Sequence, residues 1–303
     1  MLASVKSLIR RAFFYFLEST AALSLKPASK HEARLIAELR ETIDSLPPLP
    51  EQTSENTAWW LHSRRELRNY ISSHDPRRFL RWGNIIMNMF PAYNPYLKKE
   101  YAEVKAQPDF ELRWKPAITE NSIGGPLRFP HDHSTSGSAI NSAYHLITFS
   151  QFSQLDIANF DSIIEFGGGY GRLCQMAYML GFKGQYTIFD LPEVSAIQRY
   201  YLKSQGILTA NCVSDLSQVQ PLSEGRQLFI ALWSFSETPV DFRKTIEPVI
   251  DKCNAVLIGY NELPELDNVN YFEQLRQRLN HTRTTDFPIA HLGAGNRYYF
   301  SVS

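Results

Sequence analysis

Apolar residues recur at helical spacing through the first half of the chain. Over residues 30–46 they fall at Leu35, Ile36, Leu39, Ile43 and Leu46, one face of a helix. The run Pro47-Pro48-Leu49-Pro50 ends that helix, because proline lacks the amide donor and clashes with the preceding turn. A second helix is predicted over 57–73. A third spans about 76–90, with Phe79, Leu80, Trp82, Ile86 and Phe90 as its apolar positions. Residues 106–137 hold several Pro and Gly with little periodicity and read as an ordered loop region. Another helix is predicted from about 138 to 155. At the start of the chain, Lys6, Arg10 and Arg11 stand near Phe13, Phe14 and Phe16, the pattern of an amphipathic helix. Such a helix would pack on the body of the protein, join copies into a homo-oligomer, or rest weakly on an anionic membrane surface.

From about residue 156 the pattern changes. Short β-rich runs alternate with helical segments: Asp161–Phe166, Gln185–Asp190, Leu228–Ser234 and Asn254–Tyr260, separated by helices over 170–181, 192–204, 239–251 and 268–279. This alternation predicts βαβ units and a parallel sheet covered on both faces. Two final strand-like runs, 281–287 and 296–302, are close enough to pair as a hairpin. The expected fold is therefore α/β: a Rossmann-like, mostly parallel sheet with an antiparallel last strand over 156–303. A helical N-terminal region, 1–155, would help to cover an acceptor site.

Composition narrows the classes of function. The chain has 31 Lys+Arg against 31 Asp+Glu, so it lacks the basic excess on which nucleic-acid binding rests. Three widely spaced cysteines, Cys174, Cys212 and Cys253, form no CxxC pair, which argues against a disulfide framework or structural zinc and for a reducing cytoplasm. No stretch approaches the roughly 20 apolar residues of a membrane helix. Glu18 interrupts the apolar run 12–17, and no small-residue cleavage site of a signal peptide follows. The expected location is cytoplasmic, with peripheral contact to the inner membrane face as the variant that the basic first helix suggests.

The sharpest motif is Glu165-Phe166-Gly167-Gly168-Gly169-Tyr170-Gly171-Arg172, after the first predicted strand and opening a helix. Glycines there let the backbone turn sharply and approach a ligand without Cβ interference, where sheet ligands bind. Neither register of the loop gives G-x-G-x-x-G, and no Gly-Lys-Ser/Thr follows, so dinucleotide and P-loop readings fail. What remains is E-x-G-x-G-x-G. About twenty residues beyond Gly171, the second strand ends at Asp190-Leu191-Pro192, where an acid can accept hydrogen bonds from both ribose hydroxyls. A third acid, Asp215, follows Val213-Ser214.

These motifs resemble those of class I S-adenosylmethionine-dependent methyltransferases. More narrowly, EFGGGYGRLCQMAYMLGFKGQYTIFDLPE is similar to the sugar O-methyltransferase family of bacterial polysaccharide and glycoside-antibiotic gene clusters. The likeness covers about 160–205 closely and extends loosely to about 262. It implies S-adenosylmethionine as methyl donor and a sugar hydroxyl as acceptor, within a small molecule or a glycan. A phenolic or other small acceptor, or a donor-binding assembly module without catalysis, are the competing expectations. It further implies a donor site made of Glu165, Gly167, Gly168, Gly169, Tyr170, Gly171, Asp190, Leu191, Asp215 and Trp233.

Methyl transfer to a hydroxyl calls for a general base or a metal to take the proton. Four places offer one. His131, Asp132 and His133 lie in the irregular segment before the glycine loop and could supply a base, a base with its orienting acid, or part of a divalent-metal site. Glu237 follows the fourth strand; Asn261 and Glu262 follow the fifth, where they could bond sugar hydroxyls; His291 lies in the Gly-rich turn between the last two strands. Arg128 and Asp132 are further candidates for acceptor binding. Solvent-exposed loop residues and helix caps are the plain alternatives at each place.

Overall fold

Seven strands pair into one sheet: β1 (Ser162–Phe166), β2 (Gln185–Phe189), β3 (Asn211–Val213), β4 (Gln227–Leu232), β5 (Ala255–Asn261), β6 (Arg283–Pro288) and β7 (Asn296–Val302). Their order is β3-β2-β1-β4-β5-β7-β6 in this computed structural model, which describes residues 25–51, 55–89, 91, 94–279 and 281–303. Strands β1 to β5 pair in parallel, with Ser162 beside Gln185 on one side of β1 and beside Gln227 on the other. β7 runs antiparallel to both β5 and β6, pairing Ala255 with Val302 and Arg283 with Val302. The expected mostly parallel sheet with its antiparallel last strand is what the chain forms.

The strands were legible because both faces of the sheet are covered. Every residue of β1 is buried, and five of the six in β4, so each reads as a continuous apolar run rather than an alternation. Helices α5 (Arg172–Met179), α6 (Pro192–Ser204), α7 (Val240–Ile250) and α8 (Asn268–Arg278) connect the strands. The chain winds from β1 outward to β3, then returns to β4 on the other side. The switch point between β1 and β4 is where open α/β sheets bind ligands at their carboxyl ends.

The N-terminal helices α1 (Lys30–Asp44), α2 (Glu55–Ser73), α3 (Leu97–Lys105) and α4 (Gly137–Ser153) pack onto this sheet. α1 buries Leu35, Leu39 and Ile43 and lies against α6. α4 is buried along most of its length, between α5 and β7. One apolar cluster runs continuously from Leu35 through Phe149 to Val302. At the α2–α6 contact, Glu193 is wholly buried and receives Arg64 Nε at 2.7 Å and Arg68 Nε at 2.7 Å.

Two stretches depart from expectation. Residues 76–90 do not form one helix. Pro76–Arg81 is a 3-10 turn capped by Asp75, Trp82 is extended (φ −70°, ψ 136°), and a short helix covers Gly83–Asn88. The break at Trp82 turns its ring onto Tyr70, with centroids 5.4 Å apart. The expected loop over 106–137 holds helical turns at Phe110–Trp114 and Lys115–Ile118, then a small hairpin pairing Arg128–Phe129 with Asp132–Ser136. The amphipathic helix expected over the first 26 residues lies almost wholly outside the described residues. Among the described residues, no helix is long and apolar enough to cross a membrane.

Candidate active site

Gly167, Gly169 and Gly171 all take positive φ (70°, 54° and 94°), which explains the spacing of the motif: each turns the chain where an L side chain would be strained. Gly168 is constrained by space instead. A Cβ there would stand 2.6 Å from Ile188 and 2.8 Å from the Glu165 carboxylate. A Cβ on Gly167 would collide with Ser234 at 2.2 Å, so the loop lies directly on the turn after β4. The loop amides lead into α5, whose first residue, Arg172, is buried.

Beside this loop, at the carboxyl ends of β1 and β4, lies a cavity of about 700 Å³, within the range of small-molecule sites. Glu165, Gly167, Gly168, Gly169 and Tyr170 form one wall, and Trp233 closes it from β4. Met87, Met89, Tyr96 and their neighbours cover it from the N-terminal region, and Ser138, Asn141 and Ser142 face it from α4. The helical first half of the chain thus contributes one whole side of the cavity.

Two acids give the glycine-loop end its electrostatic character. Glu165 is buried, and the Tyr186 hydroxyl donates to it at 2.9 Å. Burial pushes its carboxyl up to about 7, with the neighbouring Asp190 adding to the rise and the Tyr186 bond opposing it. Asp190, at the end of β2, is also pushed up to about 7 by burial. The Leu191 amide donates to it at 2.8 Å and Gln198 Nε2 at 2.9 Å, and the Gly169 amide bonds it too. Gln198 Nε2 also donates to the Gly169 carbonyl at 2.9 Å, tying the glycine loop to Asp190. No sequence motif pointed to Gln198; its only signal is a buried amide two turns into the helix that Asp190 precedes.

Asp190 reaches the glycine loop without lining the cavity, and the other expected donor-site residues stand apart from it. Gly171 immediately precedes α5, Leu191 immediately precedes α6, and Asp215 is exposed, capping the turn Leu216–Gln218 through the Ser217 amide at 2.9 Å. That bond holds the Asp215 carboxyl below its usual range.

The acceptor candidates separate in the same way. His131, Asp132 and His133 sit on the small hairpin, and neither histidine faces the cavity. Asp132 is occupied locally, accepting from the Tyr101 hydroxyl and from Ser134 N and Oγ at 2.8 and 2.6 Å. Arg128 spends its guanidinium on the carbonyls of Glu120, Asn121 and Ser134. Among the described residues, no group of three His, Cys, Asp or Glu is placed to hold a metal. Glu237 ends a 3-10 turn after β4, with burial raising its carboxyl, but it does not line the cavity. Asn261 accepts from Asn268 at its carbonyl, and Glu262 pairs with Arg297 at 3.1 Å on the surface. The hairpin, Glu237 and the Asn261-Glu262 pair are therefore not brought together at the cavity as expected.

His291 is different. It does not line the cavity itself, but its neighbour Leu292 does; it is nearly buried, and its Nε2 donates to Glu100 of α3 at 2.9 Å. Glu100 is wholly buried and also receives both contacts of the Asn141 amide nitrogen, at 3.0 and 3.2 Å. With that nitrogen facing Glu100, the Asn141 oxygen faces His145 Nε2 at 3.1 Å. His145 therefore carries its proton on Nε2, and its Nδ1 accepts from the Tyr298 hydroxyl. Burial, helped by nearby His291, pushes His145 down to about 3 and keeps it neutral. Its ring meets the Trp233 indole edge-on, 5.3 Å between centroids.

No protein-family model matches the chain, and no curated protein matches it. Solved structures with a similar course of chain include the mitomycin 7-O-methyltransferase MmcR, 15% identical over 99% of each chain with a TM-score of 0.37. PigF with SAH is 15% identical over 91% of this chain and 100% of its own, TM-score 0.39. An rRNA methylase from Streptococcus thermophilus is 14% identical over 52% of this chain and 94% of its own, TM-score 0.39. Likenesses this low carry no assignment, so the fold rests on the strand pairing and the function on the cavity.

Proposed function

We propose that the protein is an S-adenosylmethionine-dependent O-methyltransferase acting on a sugar hydroxyl. The observation that carries the donor half is Glu165: a buried carboxylate lining the cavity beneath the glycine loop, with one neutral hydroxyl as its side-chain partner. Such a carboxylate is costly in its ionised form unless a cation answers it. A small ligand bearing an ammonium and a sulfonium does so, and Asp190 beside the loop is suited to a ribose diol. When bound, S-adenosylmethionine supplies a methyl carbon on a positively charged sulfur that leaves as a neutral thioether.

The chain's own work is alignment and proton removal. The glycine loop and Trp233 both line the cavity and would hold donor and acceptor in place relative to one another. His291, beside the cavity-lining Leu292, would take the hydroxyl proton on Nδ1 as the acceptor oxygen takes the methyl group and the bonding pair goes to sulfur. Glu100 holds the opposite nitrogen, so the free lone pair is directed away from it.

Calorimetry with S-adenosylmethionine and its demethylated product tests the donor half. Binding in the micromolar range is expected, weakened at least tenfold in Asp190→Ala. No binding, or binding indifferent to that substitution, removes the reading. Methyl transfer to sugars against phenols then decides the acceptor; turnover of phenols alone would replace the sugar.

A further inference from the structure

The acceptor end of the cavity is walled by neutral groups from three separate parts of the chain. Asn88 and Asn94 come from the segment before α3; Ser138, Asn141 and Ser142 share one face of α4, at helical spacing; Asn296 opens β7. The Asn141 amide is spent on Glu100 and His145 and the Asn296 amide on Trp233 and the Leu292 carbonyl, which leaves Asn88, Asn94, Ser138 and Ser142 to donate and accept as sugar hydroxyls do. Trp233 supplies the complementary flat surface. It holds a positive φ of 65°, rare for a bulky residue, and its Nε1 is pinned to Asn296 Oδ1 at 3.2 Å. A rigid indole with a rim of amides matches a pyranose, whose faces are C–H and whose edge is hydroxyl.

Charge selects further among sugars. The one cation in the cavity wall among the described residues, Arg172, is already matched: Nε pairs with buried Glu120 at 3.5 Å, Nη1 donates to Gln175 at 2.9 Å and Nη2 to the Ala117 carbonyl at 2.8 Å. Glu165 stands in the wall with no cation beside it among the described residues, and Glu100 lies directly behind Asn141. A phosphate or diphosphate placed here would meet no unmatched guanidinium or ammonium group among the described residues, with the buried carboxylate of Glu100 behind the wall.

We infer that the acceptor is an uncharged glycoside rather than a phosphorylated or nucleotide-activated sugar, so the reaction that supplies it is the glycosyl transfer in which the nucleoside diphosphate departs. This rests on the methyl-transfer reading, and the experiment separates the two. The full chain is incubated with S-adenosylmethionine and matched sets of one sugar: the methyl glycoside, the 1-phosphate, the nucleoside diphosphate sugar and the uronic acid. Formation of the demethylated donor is measured, and donor affinity is measured in parallel by calorimetry. The methyl glycoside is expected to exceed the charged forms at least tenfold in kcat/KM. Equal or better turnover of the 1-phosphate or the nucleotide sugar overturns the inference and leaves the methyltransferase standing. Donor binding with no turnover of any sugar overturns the inference and the sugar reading, and absence of donor binding overturns both at their root.

Discussion

His291 Nε2 donates to Glu100 Oε1 at 2.9 Å, joining residues 191 positions apart in the chain. The bond ties the turn between the last two strands to a helix of the N-terminal region, on the rim of the cavity. A carboxylate with no solvent contact needs all its acceptor positions answered, and here His291 and Asn141 answer them. Glu100→Ala is therefore expected to lower stability by about 3 kcal/mol, the scale for stripping one partner from a buried pair. Glu100→Gln keeps the shape and folds better, but turns the wrong chemistry toward His291. Its kcat is expected to fall at least tenfold while donor affinity stays within twofold. Full activity in Glu100→Gln would show that the pair only fastens helix to sheet.

Donor binding is expected to depend on pH, because Glu165 and Asp190 are both pushed up to about 7 from ordinary values of 4.5 and 3.8. From about pH 4 to 7 the folded protein holds protons that the unfolded chain has released, so these two groups make stability fall as pH rises through that window. A cationic donor binds the ionised carboxylates and reverses the preference. Its affinity should rise from pH 6 to pH 8 and level off above. Calorimetry in buffers of differing ionisation enthalpy should register proton release near pH 7. Equal affinity at pH 6 and pH 8 would exclude these acids from the donor site.

His145 has the opposite sign. It stays neutral in the fold down to about pH 3, whereas the unfolded imidazole takes a proton below its ordinary 6.5. The unfolded chain therefore binds the extra proton, and stability is lost as pH falls from 6.5 toward 3. Each pH unit in that window is worth about 1.4 kcal/mol. His145→Gln removes this contribution while offering polar atoms to Asn141 and Tyr298. Urea unfolding at pH 7.5 and 5.0 should show wild type losing about 2 kcal/mol more than the variant between the two. Parallel losses would show that the buried imidazole is protonated after all.

The legible parts of the chain were those where one local rule dominated. β1, β2, β4 and β5 are buried on both faces and read as apolar runs; α6 was found to the residue because Pro192 stands at its first position. The glycine motif was legible because positive φ leaves a mark on composition. Residues 97–105 left no such mark. Leu97, Val104 and Tyr101 are too few for a periodic face, and the residue that matters most, Glu100, looks like any surface charge. The His131-Asp132-His133 cluster shows the converse: suggestive chemistry in sequence, but a hairpin turn whose carboxylate serves Tyr101 and Ser134. His291 stood beside them as a candidate in the sequence, but only tertiary packing brings it to Glu100.

The glycine loop should distinguish strain from collision. Gly206 has φ +78° with open space around it, so Gly206→Ala should cost about 1 kcal/mol of stability and leave donor affinity alone. Gly167→Ala adds to similar strain a Cβ placed 2.2 Å from Ser234, and Ser234 is held by its own bond to the Phe166 carbonyl. The loop must shift, and with it the wall of the cavity. Donor affinity is expected to fall at least a hundredfold in Gly167→Ala. Comparable affinities in the two variants would mean that the loop does not contact the donor.

Gln198 gives the most specific test of the donor site, because a single amide nitrogen donates to both the Gly169 carbonyl and the Asp190 carboxylate. Its oxygen is buried without a partner among the described residues, an unusual state for a wholly buried amide. Gln198→Leu keeps the volume and removes both bonds. Each is worth about 1 kcal/mol, and the bond to a carboxylate somewhat more, so donor affinity should drop ten- to thirtyfold with the acceptor KM unchanged. The same bond holds the Asp190 carboxyl down against the effect of burial. Without it, Asp190 keeps its proton to higher pH, and the rise of donor affinity with pH moves upward. The deficit against wild type should therefore be larger at pH 7.0 than at pH 8.5, where Asp190 is ionised in both proteins. A deficit that is the same at both values would mean that Gln198 only packs α6 against the sheet.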